Sequence, residues 1–285
     1  MSSFASTSGP NLVLFLFRND LRLHDSPALK AAAAAAAKKA GSIFLPVYSF
    51  DDRFLGATGN DMRFLKAKSS PHRTNFLIQS VADLKASLIG VGSDLHITTG
   101  RPEVALPALV ASLSPSSTSI FAQHEIASEE ADVLSAIKSS LPGSTLTTVH
   151  GSSLYTYEDV CDTFDVSSDG LPQIPDVTTP FRTKLEKVKT IRPCLPSLSS
   201  ADLSGTSFPS SLLSSPLPSP IPVAVDDRTA VPFAGGETAG KSRVTDYFFT
   251  EDRLKTYFDT RNGMIGTGYS TKFSPYLALG CLSPR

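Results

Sequence analysis

Residues 12–29 read LVLFLFRNDLRLHDSPAL, and the fold follows from this stretch. Six apolar side chains in a row, residues 12–17, give way abruptly to Arg18, Asn19, Asp20, Arg22, His24 and Asp25, and then to Ser26-Pro27. An unbroken apolar run without the alternation of a half-exposed strand suits a strand buried on both faces, as in a parallel sheet. Ser followed by Pro suits an N-cap and a first helical position. The stretch is therefore a buried strand that empties through a charged loop into a helix.

Working outward, the same alternation recurs as far as residue 150. Short apolar or β-branched runs at 43–48, 94–97, 119–122 and 145–149 read as strands. Between them, 26–40, 74–88, 102–113 and 128–139 have helical periodicity, the last opened by Ser128 as cap with Glu129 and Glu130 in the first turn. The Ala31 to Ala37 run is a strong helix former with no implied chemistry. Five strands alternating with helices predict an α/β fold, a doubly wound, parallel five-stranded sheet covered on both faces.

The first ten residues carry no strand or helix signal and read as a disordered tail; the α/β domain is expected over 11–165 and an interdomain linker over 166–232. Within that linker, 197–222 is rich in Ser and Pro, a composition that predicts little buried surface. Helical character returns over 241–261, and NGMIGTG leads into a final apolar segment, 276–282. Residues 233–285 are too few to form an independent core.

A net charge of -1 gives no global attraction to polyanions. Three widely spaced cysteines, Cys161, Cys194 and Cys281, form neither a disulfide framework nor a zinc set and suit a reducing, intracellular setting. No secretory signal pattern opens the chain, and no run of ~18 apolar residues suggests a membrane span.

Two segments offer chemistry. Ligands of open parallel sheets bind outside the carboxyl ends of the strands, which puts the loop 18–25 in position for one; it lacks the G-x-G-x-x-G dinucleotide fingerprint, and a salt-bridged loop that only seats the helix is the alternative. The second segment is YSTKFSP, 269–275, where hydroxyls and a lysine precede a helix start and suit an anion, or else an ordinary cap. His124 reads as a loop or core residue, since no second metal ligand stands at a recognisable spacing.

Phe15-Leu16-Phe17-Arg18-Asn19-Asp20-Leu21-Arg22, with Asp25 through Leu29, resembles the opening signature of the cryptochrome and DNA photolyase family, W-F-R-x-D-L-R-x-x-D-N-x-A-L, with Leu16 for the usual Trp and Ser26 for the usual Asn. Arg73-Thr74-Asn75-Phe76-Leu77 with Ser80-Val81 and Asp83-Leu84 is similar to a family helix, Gln79 replacing Glu, and Gly100-x-Pro102-Glu103 with Leu106-Pro107 follows in order. Phe181-Arg182, Gly235-Gly236-Glu237 and Asp252-Arg253-Leu254 through Asn262 resemble the cryptochrome DASH subgroup.

The resemblance implies a Rossmann-like antenna domain, a linker, and at 233–285 the incomplete start of an all-α FAD-binding domain. It assigns Ser270, Thr271, Lys272, Phe273, Ser274 and Tyr257 to FAD. It assigns Glu125, Glu129 and Arg18 to a 5,10-methenyltetrahydrofolate antenna, where a carboxylate would accept paired N–H bonds from the pterin edge; Glu129 as a helix-dipole acid is the alternative. No metal is implied. The implied activity is blue-light-driven, FAD-dependent repair of cyclobutane pyrimidine dimers, single-stranded UV-damaged DNA favoured, or photoreception. Catalytic residues and the tryptophan relay would lie downstream, which fits a chain without Trp in which Tyr276 stands where many relatives have that residue. The chain is thus expected to be a fragment unable to catalyse alone. Two alternatives are a stand-alone pterin- or nucleotide-binding module, and a non-functional truncation whose apolar 276–282 segment lies exposed.

Overall fold

The computed structural model describes residues 9–55, 69–168, 170, 172–213, 215–224, 232–264 and 266–285. Most of the tail expected over 1–10 and the last residues of the linker lie outside them. Five strands, β1 (Asn11–Phe17), β2 (Ile43–Phe50), β3 (His96–Thr99), β4 (Ser117–Gln123) and β5 (Thr145–Val149), form one all-parallel sheet in the order β3-β2-β1-β4-β5. The connecting helices are α1 (Pro27–Ala37), the short α2 (Asp52–Leu55), α3 (Pro71–Gly90), α4 (Pro102–Leu113) and α5 (Ser128–Ser140).

The apolar run of β1 is divided between two cores. Val13, Phe15 and Phe17 pack with Ala28, Ala32 and Ala36 of α1 and Val81, Leu84 and Leu88 of α3. Leu12, Leu14 and Leu16 face the other way, onto Leu106 of α4 and Val133, Leu134 and Ile137 of α5. This is why the run does not alternate: both faces are interior. The alanines of α1 bring its axis close to the sheet. Leu16, at the position of the usual Trp, is one of these core residues.

Helix starts need correction in detail. Ser26 holds the N-cap position of α1 but its side chain makes no capping bond, and Ala127, not Ser128, caps α5. β3 begins two residues later than expected, at His96, because Asp94 is used elsewhere: its carboxylate takes the Lys85 ammonium and the Leu95 N–H.

Among its described residues the Ser/Pro-rich stretch forms no α-helix, as its composition implies, but it buries more than expected. Leu198 and Leu203 join the core on the α1 side, and Lys30 pairs with Asp202 at 2.8 Å. Ser207 bridges Ile43, accepting from the Phe44 N–H and donating to the Ser42 carbonyl. β3 pairs only with the second half of β2, from Val47 on, so this segment covers the edge that the first half leaves open.

The remaining helices are α6 (Tyr157–Cys161), α7 (Thr178–Val188), α8 (Glu237–Thr245), α9 (Tyr257–Thr260) and α10 (Ser274–Ala278). The helical character read over 241–261 is broken: α8 runs into a π-helical turn at Asp246–Thr250, and Asp252, with φ +48°, turns the chain into a 3-10 turn before α9. Instead of forming its own core, this part of the chain docks on the α/β domain. Gly235 N–H donates to Gln79 Oε1 (2.9 Å) and Thr238 N–H to Asp83 Oδ2 (3.0 Å). A Cβ at Gly235 would strike the Phe76 carbonyl, so only glycine permits this approach. The expectation of an exposed 276–282 segment holds only at Leu277 and Ala278. Tyr276, Leu279 and Cys281 are buried in the main core, and the Tyr276 hydroxyl donates to the Ala234 carbonyl at 2.9 Å.

Candidate functional site

The charged loop after β1 divides by role. Arg22 and Asp25 are structural: Arg22 donates to the carbonyls of His24, Asp25, Gly151 and Gly280 at 2.9–3.0 Å, and Asp25 binds the Arg285 guanidinium at 2.7 and 3.0 Å, the Ser283 hydroxyl and the Leu195 N–H. The Glu237 carboxylate accepts from the Leu23 and His24 N–H groups at 2.7 and 3.1 Å. The salt-bridged alternative thus describes 22–25, and what the loop seats is both α1 and the C-terminal segment.

Arg18 points elsewhere. With Tyr48, Ser49, Asp51, Arg73 and Glu130 it lines a cavity of ≈ 280 Å³ at the carboxyl ends of β1 and β2, closed on one side by Ala278 and Leu279. Its guanidinium donates to the Glu130 carbonyl at 2.8 Å. Asp51 is held by Arg53, which also pairs with Glu103. Of the two glutamates singled out from the sequence, Glu129 is exposed and Glu125 half-buried, and neither lines the cavity, whereas Glu130 does. One residue of register separates Glu129 from the acid that lines the space. His124 lies in the loop after β4 with its ring 6.3 Å from that of His150, and the described residues contain no metal-ligating cluster.

Behind Arg18 lies a polar interior with unmatched atoms. Asp20 Oδ1 accepts the Arg18 N–H at 2.7 Å, but Asp20 Oδ2, Gln123 Nε2 and Glu125 Oε1 are buried without partners among the described residues. Burial raises Asp20 to about 6, against the pull of Arg22 and Arg18, and raises Glu125 to about 7, against Arg18. Both carboxyls hold their protons more tightly folded than unfolded. Between the ordinary carboxylate range and pH 6–7 the native chain therefore binds more protons than the unfolded one, and these two groups make stability fall as pH rises. Asp20→Asn keeps the Oδ1 acceptor and removes the charge. It is expected to stabilise the chain by about 2 kcal/mol at pH 8 and by little at pH 4, as measured by urea unfolding at both values.

The second expected site, 269–275, is built differently from a helix start. α10 is a single turn with Phe273 in the cap position and no side-chain cap, too short for a useful dipole. The loop is shaped from beneath by Arg243. Its guanidinium donates to the carbonyls of Thr267 (3.0 Å), Ser270 (3.2 Å) and Thr271 (3.0 Å). A trans peptide points its N–H opposite to its C=O. The N–H groups of Gly268, Thr271 and Lys272 are therefore aimed away from Arg243, and none from Ser270 to Phe273 donates to a protein acceptor among the described residues. Lys272 is left-handed (φ +60°) and Phe273 right-handed (φ -77°, ψ -18°), the alternation that gathers successive N–H groups into an anion-binding concavity. The Lys272 ammonium rests 3.5 Å above the Tyr269 ring. Ser270, Thr271, Lys272 and Phe273 are half-buried in one loop and Ser274, the first residue of α10, is exposed; Tyr257, in α9, is half-buried.

A strand-end cavity, a docked helical segment and an amide-lined loop on one doubly wound sheet define an α/β protein with room for a ligand outside the carboxyl ends of its strands. The family model for DNA photolyase matches residues 13–199, and the chain belongs to that family. It is 40% identical to cryptochrome DASH of Synechocystis over 97% of this chain and 53% of the relative, and 36% identical to the chloroplastic/mitochondrial cryptochrome DASH of Arabidopsis thaliana over 100% of this chain and 48% of the relative. The solved Synechocystis cryptochrome superposes with a TM-score of 0.80 at 39% identity, over 97% of this chain and 54% of that one. The chain thus spans about half the length of the curated relatives it matches. No helix among the described residues is long and apolar enough to cross a membrane.

Sequence reasoning missed Arg243. ETAGKSRVT reads as a solvated helix, and nothing in it marks one arginine of the two cations as buried; that follows only from the return of the chain at 267–271.

Proposed function

We propose that this chain is the N-terminal half of a cryptochrome DASH-type flavoprotein, in which Ser270, Thr271, Lys272, Phe273, Ser274 and Tyr257 contact FAD. The observation that carries the reading is the loop 267–273, with the Thr267, Ser270 and Thr271 carbonyls turned inward onto Arg243 and the amides of 270–273 without a protein acceptor among the described residues. A diphosphate is the part of FAD that matches such a surface: its oxygens accept from amides and hydroxyls, and Lys272 adds a point charge. When bound and reduced, FAD supplies, after blue-light excitation, the electron that splits a cyclobutane pyrimidine dimer in single-stranded DNA, or the photochemistry of signalling. This chain's residues hold and orient it.

The cavity at Arg18 has the polar and cationic lining suited to an antenna of the 5,10-methenyltetrahydrofolate type, with Arg18 and Glu130 in its wall and Glu125 and Glu129 outside it. That the cavity is walled by residues of this chain favours a second reading, a pterin-binding α/β module that does no catalysis.

The product of the complete reading frame that contains this chain, purified and examined by absorption spectroscopy, is expected to carry both flavin and folate. Arg18→Gln is expected to lower the folate content severalfold and leave the flavin content unchanged. Folate without flavin in the unmutated protein would favour the module, and equal loss of both in the variant would make Arg18 a structural cation.

A further inference from the structure

Arg243 is an unusual cation. It lies near the C-terminal end of α8 with 6% of its surface exposed, its guanidinium 4.9 Å from the Phe233 ring and 5.0 Å from the Tyr247 ring. It makes no ion pair with any carboxylate among the described residues; its hydrogen bonds go to three carbonyls of one loop. A buried cation without an anionic partner is costly unless something offsets it. Here its charge stands directly behind the amides of Thr271 and Lys272. Beside it the fully buried Tyr247 ring lies 6.2 Å from Phe273, its hydroxyl without a partner among the described residues.

We propose that Arg243 is the positioning residue of the diphosphate loop: it touches no ligand, but by drawing in the carbonyls of Thr267, Ser270 and Thr271 it sets the outward direction of the amides that do. The inference rests on the reading of this loop as a flavin-diphosphate site. It depends on the planar fork, because one ammonium cannot reach three carbonyls in that geometry. The aromatic rings fix the guanidinium laterally, so the loop inherits its geometry from the α8 core and does not have to be ordered by the ligand.

The test compares the complete reading-frame product with its R243K and R243Q variants, measuring affinity for FAD and for inorganic pyrophosphate by titration calorimetry, with thermal unfolding of the ligand-free proteins alongside. Both variants are expected to lose affinity for both probes at least about tenfold while their thermal midpoints stay within a few degrees of the parent. Parental affinity in a folded R243K would overturn the proposal, since charge alone would then suffice; so would parental affinity in R243Q. Should both variants fail to fold, Phe233→Leu, which loosens the same guanidinium from one side, is expected to weaken pyrophosphate binding, and unchanged binding in it would overturn the proposal. Failure of the unmutated protein to bind FAD or pyrophosphate would instead remove the diphosphate reading itself, a result visible before any variant is made.

Discussion

Replacing Arg22 with methionine is expected to destabilise the chain by at least about 4 kcal/mol, a large part of a typical domain's stability. The side chain is almost wholly buried and satisfies four backbone carbonyls: two in its own loop, one at Gly151 after β5, and one at Gly280 near the far end of the chain. Methionine fills similar space but donates nothing. Each buried carbonyl left without a donor costs about 1–3 kcal/mol, against a typical total stability of about 5–15 kcal/mol. Burial already pulls the guanidinium below its ordinary value, against the attraction of Asp20, Asp25 and Glu237, so the site tolerates the charge only because its donors are used. Urea unfolding followed by circular dichroism measures the loss. Arg22→Lys, which can satisfy some of the carbonyls but not all, is expected to fall between the two.

Asp25→Ala is the second large effect, expected at about 3–5 kcal/mol. The carboxylate and the Arg285 guanidinium are both buried, and removing the acid leaves the cation in the interior without a counter-charge. It also strips acceptors from Ser283 and from the Leu195 N–H, so three separate stretches of chain lose a common anchor. The same pair in double-mutant form makes the argument sharp: Asp25→Ala with Arg285→Leu is expected to cost less than Asp25→Ala alone, because no unpaired charge remains. Burial pushes the Asp25 carboxyl up, but the Ser283 hydroxyl, the Leu195 amide and Arg285 outweigh it and hold the group below the usual range. Its contribution is therefore present above the ordinary carboxylate value and is lost as pH falls through the depressed one, opposite in sign to Asp20 and Glu125.

The contrast between these residues shows what the sequence could and could not reveal. Five strands and their order of helices were legible because period and composition are local: the run at 12–17 is apolar throughout since it is interior on both faces, whatever lies beyond it. The loop 18–25 was legible as charged, but not as divided. Arg18 faces a cavity while Arg22, four residues on, faces Gly151 and Gly280, which lie more than a hundred residues away. Long-range partners of this kind leave no periodic trace. The Ser/Pro-rich stretch misled for a similar reason: its composition correctly forbids a helix, yet two leucines and one backbone bridge to Ser207 suffice to dock it on an edge that the short β3 leaves open. At 269–275 the residue types pointed to an anion, but the mechanism expected for them, a helix start, gave way to a turn whose geometry comes from Arg243.

The account turns on amides that face outward from that turn and close on a diphosphate. Backbone hydrogen exchange, measured residue by residue on the complete reading-frame product with and without FAD, reads this directly. Slowed exchange at Thr271, Lys272 and Phe273 on binding is the predicted result. Bound flavin that leaves those three amides exchanging as fast as before would contradict it.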